Sequence, residues 1–359
     1  MRTSPGFVRQ GSVRPFLIDA AMNPEFELFD RREFFGIVTK TAAILGLAGG
    51  AKAAGEEQGK GNPFAYDISR FQKTDPKLIT YDEVTRWPIP HKGARRLGIG
   101  PEDQVYVCAG NYINCLSRAG ERGLELALAG PACCVAVARD GAILAGLRDH
   151  IEVFDSKGGK VARWESPDSR TWFTGLAAGA KDVFAADAGK LVVLRYDRSG
   201  KIVGRIGRKD AERNVPGFIV PSPFLDVMIH RDGLLRVNNP GRHRVEAYTF
   251  DGDLEGSWGK PTAAIEGFCG CCNPIGLTAL PDGRIVTCEK GIPRVKIYSA
   301  DGGFESVVAG SESFPENTHA CTDLNDCIHG GLHAAVDSEG RIYILDIVSS
   351  DVRVMRRKG

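Results

Sequence analysis

One plan recurs six times along the chain and limits its fold more than any other feature: a strand, a tight turn, a second strand, a short loop, a third strand and a second turn. Residues 274–302, "PIGLTALPDGRIVTCEKGIPRVKIYSADG", show it plainly, and it returns at 97–120, 133–159, 174–200, 224–252 and 332–355. Each unit alternates apolar and polar residues with period two and turns on Gly beside Asp, Glu or Ser, which is hairpin chemistry. Short strand-like stretches between units, such as 201–207 and 252–259, supply a fourth strand. The sixth unit reaches Gly359 before its own fourth strand, and "KLITYDEVTRWPI" (77–89), ahead of the first unit, is the segment able to provide it. The prediction is an all-β chain of six four-stranded antiparallel blades, a β-propeller whose last blade is closed by an N-terminal strand and whose ring hides edges that would otherwise pair with other chains.

The repeat resembles that of the NHL-repeat six-bladed propellers. Pro274, Gly276, Gly283, Ile285, Glu289, Arg294, Val295 and Tyr298 follow that family's pattern, as do Gly340, Ile342, Tyr343 and Asp346. The resemblance covers roughly residues 78–356 and implies the fold, while function stays open because such rings host binding, lyase, hydrolase and redox chemistry alike. Units one and two depart from the pattern in lacking an acidic residue at the end of the second strand. Loops swell at 208–222, 260–273 and 311–331, and loops of that length in a compact domain are more often functional than idle.

Residues 30–54, "DRREFFGIVTKTAAILGLAGGAKAA", hold paired Arg31-Arg32, an apolar stretch and a small-residue site at Ala51-Lys52-Ala53. In that order they look like a twin-arginine export signal, with Asp30 where Ser or Thr is usual; the alternative is an amphipathic first helix. The expected organisation is a signal with an extended leading region at 1–54, a linker at 55–76 and the propeller at 77–359, in the periplasm or otherwise outside a bacterial cytoplasmic membrane. The apolar run is too short and too broken to span a bilayer, so no integral membrane segment is expected in the mature form. A formal charge of +1 gives no electrostatic reason to expect nucleic acid or an anionic membrane as partner. A monomer is expected, with a small-molecule ligand or a redox partner protein.

Ten cysteines then require an account. In an antiparallel blade the loop that leads into strand one and the turn that leaves strand two emerge at the same end, so residues at the start of strand one ring the channel mouth. Aligning the units puts Cys134, Gly175, Asp226, Gly276 and His333 at that position. Cys133, Arg170 and Trp172, the trio Cys269, Cys271 and Cys272, and the stretch 319–333 with His319, Cys321, Cys327 and His329 lie just upstream in the same loops. Units two and five are opposite in a ring of six, so the pairs Cys133-Cys134 and Cys271-Cys272 are expected to face one another across the mouth.

Three readings stay open for these thiols. They are metal or cluster ligands, long-range disulfides, or inert buried side chains, and a mixture with a local Cys321–Cys327 bridge is compatible with the spacing. The order C-x-C-C…H-x-C-x5-C-x-H matches no standard zinc-finger, ferredoxin or c-type haem spacing, so the case for ligation rests on density. Thiolates select soft ions, which favours copper or an iron–sulfur centre over zinc. The expected ligands are Cys134, Cys271, Cys272 and His333, supplemented by Cys321, Cys327, His329, Asp226, Cys269 and Cys133. Some enzymes of the resembled family hold a channel metal with histidines; a ring made mainly of cysteine points instead to redox chemistry or electron transfer on a small molecule. The other expectation is a disulfide-stabilised module that binds a protein or a glycan without catalysis.

Arg170 and Trp172, a cation and an aromatic at the mouth, suit an anionic or planar ligand. Cys108, Cys115 and Cys288 read as core, and Asp187, Glu289 and Asp346 as carboxylates that order turns. His150, His230 and His243 read as surface histidines away from the mouth. No Ser-His-Asp order, phosphate-binding Gly-rich loop or paired-carboxylate motif stands out.

Overall fold

The computed structural model describes residues 69–166, 168–317, 328 and 330–359. The export segment and linker expected at 1–54 and 55–76, together with His319, Cys321, Cys327 and His329, lie outside these residues.

Six four-stranded antiparallel sheets follow in chain order, each built from one predicted unit and its fourth strand. In blade two, for example, Cys134–Val137 lines the channel, Ile143–Gly146 and His150–Phe154 come next, and Lys160–Glu165 is outermost. Blade six consists of Leu332–Val336, Ile342–Asp346, Asp351–Arg357 and, as its outer strand, Tyr81–Pro88 from the N-terminal side. That strand pairs antiparallel with Asp351–Arg357, from Tyr81 opposite Arg357 to Pro88 opposite Asp351, and so joins the two ends of the described chain. The six-bladed ring and its closure are as the repeat predicts.

Burial within a blade follows from its neighbours. Second strands are packed on both faces by adjacent blades and are almost wholly buried, as in Val105–Ala109 and Ile285–Cys288. Outer strands touch protein on one face only, and the alternation of Lys160–Glu165 leaves chiefly Trp164 inside. Neighbouring blades lock through aromatic rings laid on turn glycines. Trp87 from the closing strand covers Gly120, Trp164 covers Gly200 and Trp258 covers Gly302; a Cβ at any of these glycines would lie within 2.5 Å of the indole. The same rings meet Tyr343, Tyr196 and Tyr298 at centroid distances of 5.6, 5.6 and 4.7 Å. Inner strands, with Leu97, Val135, Leu176, Val227, Leu277 and Ala334 among their residues, wall a channel space of about 230 Å³.

Candidate functional site

Strand register defines the ring at the mouth. Cys134 is opposite Gly146, Gly175 opposite Ala186, Gly276 opposite Cys288 and His333 opposite Leu345, while Asp226 meets Asn238. Arg96, opposite Cys108, is the blade-one member of this ring, and sequence reasoning missed it. The signal was available, since the blade-one unit only had to be extended by one residue to reach Arg96.

Polar side chains close the mouth. Arg96 of blade one reaches Asp226 of blade four, on the opposite side, with 3.1 Å between Nη1 and Oδ2. Asp226 also accepts hydrogen bonds from the backbone N–H groups of Leu277 at 3.0 Å and Val227 at 3.0 Å. Asn238 fixes its position by accepting the Asp226 N–H and donating to Phe224 O and Pro274 O. Glycine at 276 leaves the space, because a Cβ there would meet His333, Arg96 and Asp226 at 3.1, 3.3 and 3.7 Å. Burial alone would raise the Asp226 pKa, but Arg96 and His333 outweigh it and hold the carboxyl below its ordinary value. The His333 pKa is also lowered, here because burial and the Arg96 charge outweigh the pull of Asp226, which favours the neutral ring. Its Nδ1 accepts the Leu97 N–H at 3.1 Å, which puts the proton on Nε2, 3.4 Å from Asp226 Oδ2. Both nitrogens of this expected ligand are therefore engaged within the protein.

The structure separates the expected cysteines. Cys134 is buried against Gly146, and burial pushes its thiol well above the ordinary value. Cys108 and Cys288 are buried as expected, with the Cys108 thiol pushed up to about 12 by desolvation. Cys115 is only half-buried, beside Tyr106. Cys133 lines one cavity, whereas Cys269, Cys271 and Cys272 line another that shares no residue with it. The two adjacent-cysteine pairs thus do not meet across the mouth, because Arg96, Asp226 and His333 fill the space between them.

The cavity on blade five, about 520 Å³, is bounded by His243, Thr262, Phe268, the three cysteines, Asn273 and Lys290, among others. Asn273 shapes the loop, donating to Cys269 O at 2.7 Å and Lys290 O at 2.9 Å and accepting the Lys290 N–H at 2.9 Å. Cys271 Sγ and Cys272 Sγ are 3.2 Å apart, too far for a covalent bond and close enough for both to face one soft ion. His243 donates from Nε2 to Gly270 O at 2.6 Å. Beneath the loop, Glu289 is paired with Arg294 at 2.7 Å and Lys296 at 2.7 Å, all three buried. Among the described residues no set of three or more His, Cys, Asp or Glu side chains is arranged to hold a metal ion.

Of the expected ligand-binding pair, Trp172 lines the second cavity, but Arg170 turns to the surface and faces Asp168 at 3.6 Å. The cation over the indole is Arg148, 4.3 Å from the ring centroid. Two of the three histidines read as surface residues are in fact buried: His150 against Asp149 and Glu152, and His230 between Gly283 O and Asp232. Period-two patterns place such residues on a strand face but do not tell which neighbouring blade covers that face. The turn carboxylates behave as expected. Asp187 accepts the Trp172 and Lys190 N–H groups, and Asp346 accepts those of Val348 and Ser349.

These features define a six-bladed β-propeller with a polar, closed channel mouth and two separate cavities on the surrounding loops. Among solved structures, a streptogramin B lyase is similar over 78% of this chain and 98% of its own, with 14% identity and a TM-score of 0.53. Virginiamycin B lyase from Staphylococcus aureus is similar over 77% of this chain and all of its own, with 13% identity and a TM-score of 0.51; its catalytically inactive variant with quinupristin gives 12% and 0.52. What is shared at that identity is the fold. No family model matches the chain, and no curated protein matches it. Among the described residues no helix is long and apolar enough to cross a membrane.

Proposed function

We propose that the protein is an exported propeller that holds a soft metal, copper or an iron–sulfur cluster, on its blade-five loop and serves electron transfer or a redox reaction on a small molecule. The supporting observation is the gathering of Cys269, Cys271 and Cys272 around one open cavity, with two of the sulfurs 3.2 Å apart. Thiolates of this kind would hold the ion, with Cys321, Cys327 and His329 of the neighbouring blade-six loop as the candidates to complete its shell. When bound, the metal supplies a one-electron couple; the chain's own part is a rigid loop, pinned by Asn273, that sets sulfur spacing. His333, Asp226 and Cys134 belong to the mouth network and are not ligands in this reading. Export by the twin-arginine route fits, because it carries folded proteins, so thiols could be metallated before they meet an oxidant.

The test is anaerobic purification from a host with that export route, with metal analysis and a visible spectrum. Stoichiometric copper or iron with a charge-transfer band that Cys272→Ser abolishes supports the proposal. Absence of metal, with thiols recovered only after reductant, refutes it and leaves the second reading, a disulfide-stabilised module for a protein or glycan partner. Engagement of both His333 nitrogens removes one expected metal ligand, while the eight described cysteines are free thiols, so the bridges of this second reading would have to involve residues outside those described.

A further inference from the structure

The cavity that contains Trp172 and Cys133 has about 530 Å³, within the range of sites for small organic ligands. Its walls come from the mouth-side ends of four blades: Arg95 and Arg96 from blade one, Cys133, Leu147 and Arg148 from blade two, Trp172 and Thr174 from blade three, and Pro223 and Phe224 from blade four. Three of these are guanidinium groups. Arg95 donates to Ile328 O at 2.8 Å and Arg148 lies over Trp172, and neither is paired with a carboxylate among the described residues. Arg96 is 5% exposed; its Nη1 is committed to Asp226 and Ile275 O, while its Nη2 is buried with no hydrogen-bond partner. A buried, unpaired donor on a cation is costly, so a group that satisfies it is favoured.

Against these cations the described lining sets one carboxylate, Asp149, which is bound to His150 Nδ1 at 2.7 Å. Beyond Cys133, His150 and Thr174 the wall is apolar or aromatic, with Leu147, Trp172, Phe224, Pro131 and Pro223. Burial raises the Cys133 pKa against the opposing charge of Arg95, so that thiol is neutral and adds no negative charge.

We propose that this cavity binds a small aromatic anion, whose carboxylate or phosphate is held by Arg95, Arg96 and Arg148 and whose ring packs against Trp172 and Phe224. Guanidinium forks match both anionic groups, and a partly desolvated site strengthens each contact. The site shares no lining residue with the blade-five cavity, so it stands or falls independently of the metal.

Calorimetric titration of the purified protein with phenyl phosphate, benzoate, inorganic phosphate and benzyl alcohol tests this. Saturable one-to-one binding of phenyl phosphate or benzoate is expected, weaker at high salt, and the tighter of the two identifies the anionic group. Arg95→Ala and Arg148→Ala, both accessible side chains, should each weaken binding about tenfold or more. Arg170→Ala, outside the cavity, should leave binding unchanged. Binding of neither aromatic anion, equal binding of inorganic phosphate or benzyl alcohol, or affinities unaltered in Arg95→Ala and Arg148→Ala would overturn the proposal.

Discussion

Replacing Asp226 by Ala removes the anion that joins blade one to blade four across the mouth. Arg96 and Asp226 are 5% and 4% exposed, so water replaces the lost carboxylate only poorly at the remaining guanidinium. Leaving one member of a buried pair alone costs about 3–5 kcal/mol, and the orphaned Leu277 N–H adds about 1 kcal/mol. At roughly 2–4 °C per kcal/mol for a domain somewhat smaller than this one, the melting temperature should fall by on the order of 10 °C. Urea unfolding with linear extrapolation gives the loss directly. The double variant Arg96→Met/Asp226→Leu separates charge from packing, because exchanging a buried pair for apolar groups of similar size is often neutral or stabilising. It should therefore be more stable than Asp226→Ala, with a coupling of about 2 kcal/mol or more in the cycle. A cost below about 1 kcal/mol for Asp226→Ala, or a coupling near zero, would refute the view that this ion pair ties the ring.

Three further outcomes are expected. Gly302 has φ +93° and its Cβ would lie 2.2 Å from Trp258 Cγ, so Gly302→Ala should cost about 2–3 kcal/mol in urea unfolding, whereas Gly256→Ala, with open space around it, should cost under about 1. Truncating Trp87, 8% exposed and packed on Tyr343, should cost about 3–5 kcal/mol; deletion through Pro88 should uncover the edge of Asp351–Arg357 and produce aggregation visible by light scattering. Burial lowers the Lys296 pKa from 10.5 to about 8, with Glu289 opposing. Between those values the unfolded chain binds the proton that the folded chain has released, so this residue's contribution makes stability rise with pH, by up to about 3 kcal/mol. Unfolding followed from pH 7.5 to 10 should show that rise relative to Lys296→Met; identical pH dependence in both proteins would contradict it.

Fold and site were unequally legible in the sequence, and the reason is physical. A blade is specified locally: alternation sets the strand faces, Asp-Gly turns set the register, and each unit repeats the instruction, so even the borrowed strand Tyr81–Pro88 could be placed from the empty position at the other end of the chain. The mouth is specified by contacts between blades, and alignment reports only which residues share a level. It therefore placed Cys134, Asp226 and His333 at one level, yet it could not say that Cys134 packs against Gly146 while Arg96 and Asp226 extend to meet. Side-chain length decides this. A cysteine cannot cross a channel that an arginine and an aspartate together can bridge, and the small residues at Gly175 and Gly276 leave room for them to do so. The same consideration moved the expected cation from Arg170 to Arg148: Arg170 precedes the strand and turns to Asp168, whereas Arg148 projects from the neighbouring blade onto the indole. In a ring of repeats, then, a residue's level follows from its own unit, but its partner is set by reach and by the neighbour's gaps. Long polar side chains at mouth positions consequently outrank cysteine count as markers of what fills the centre.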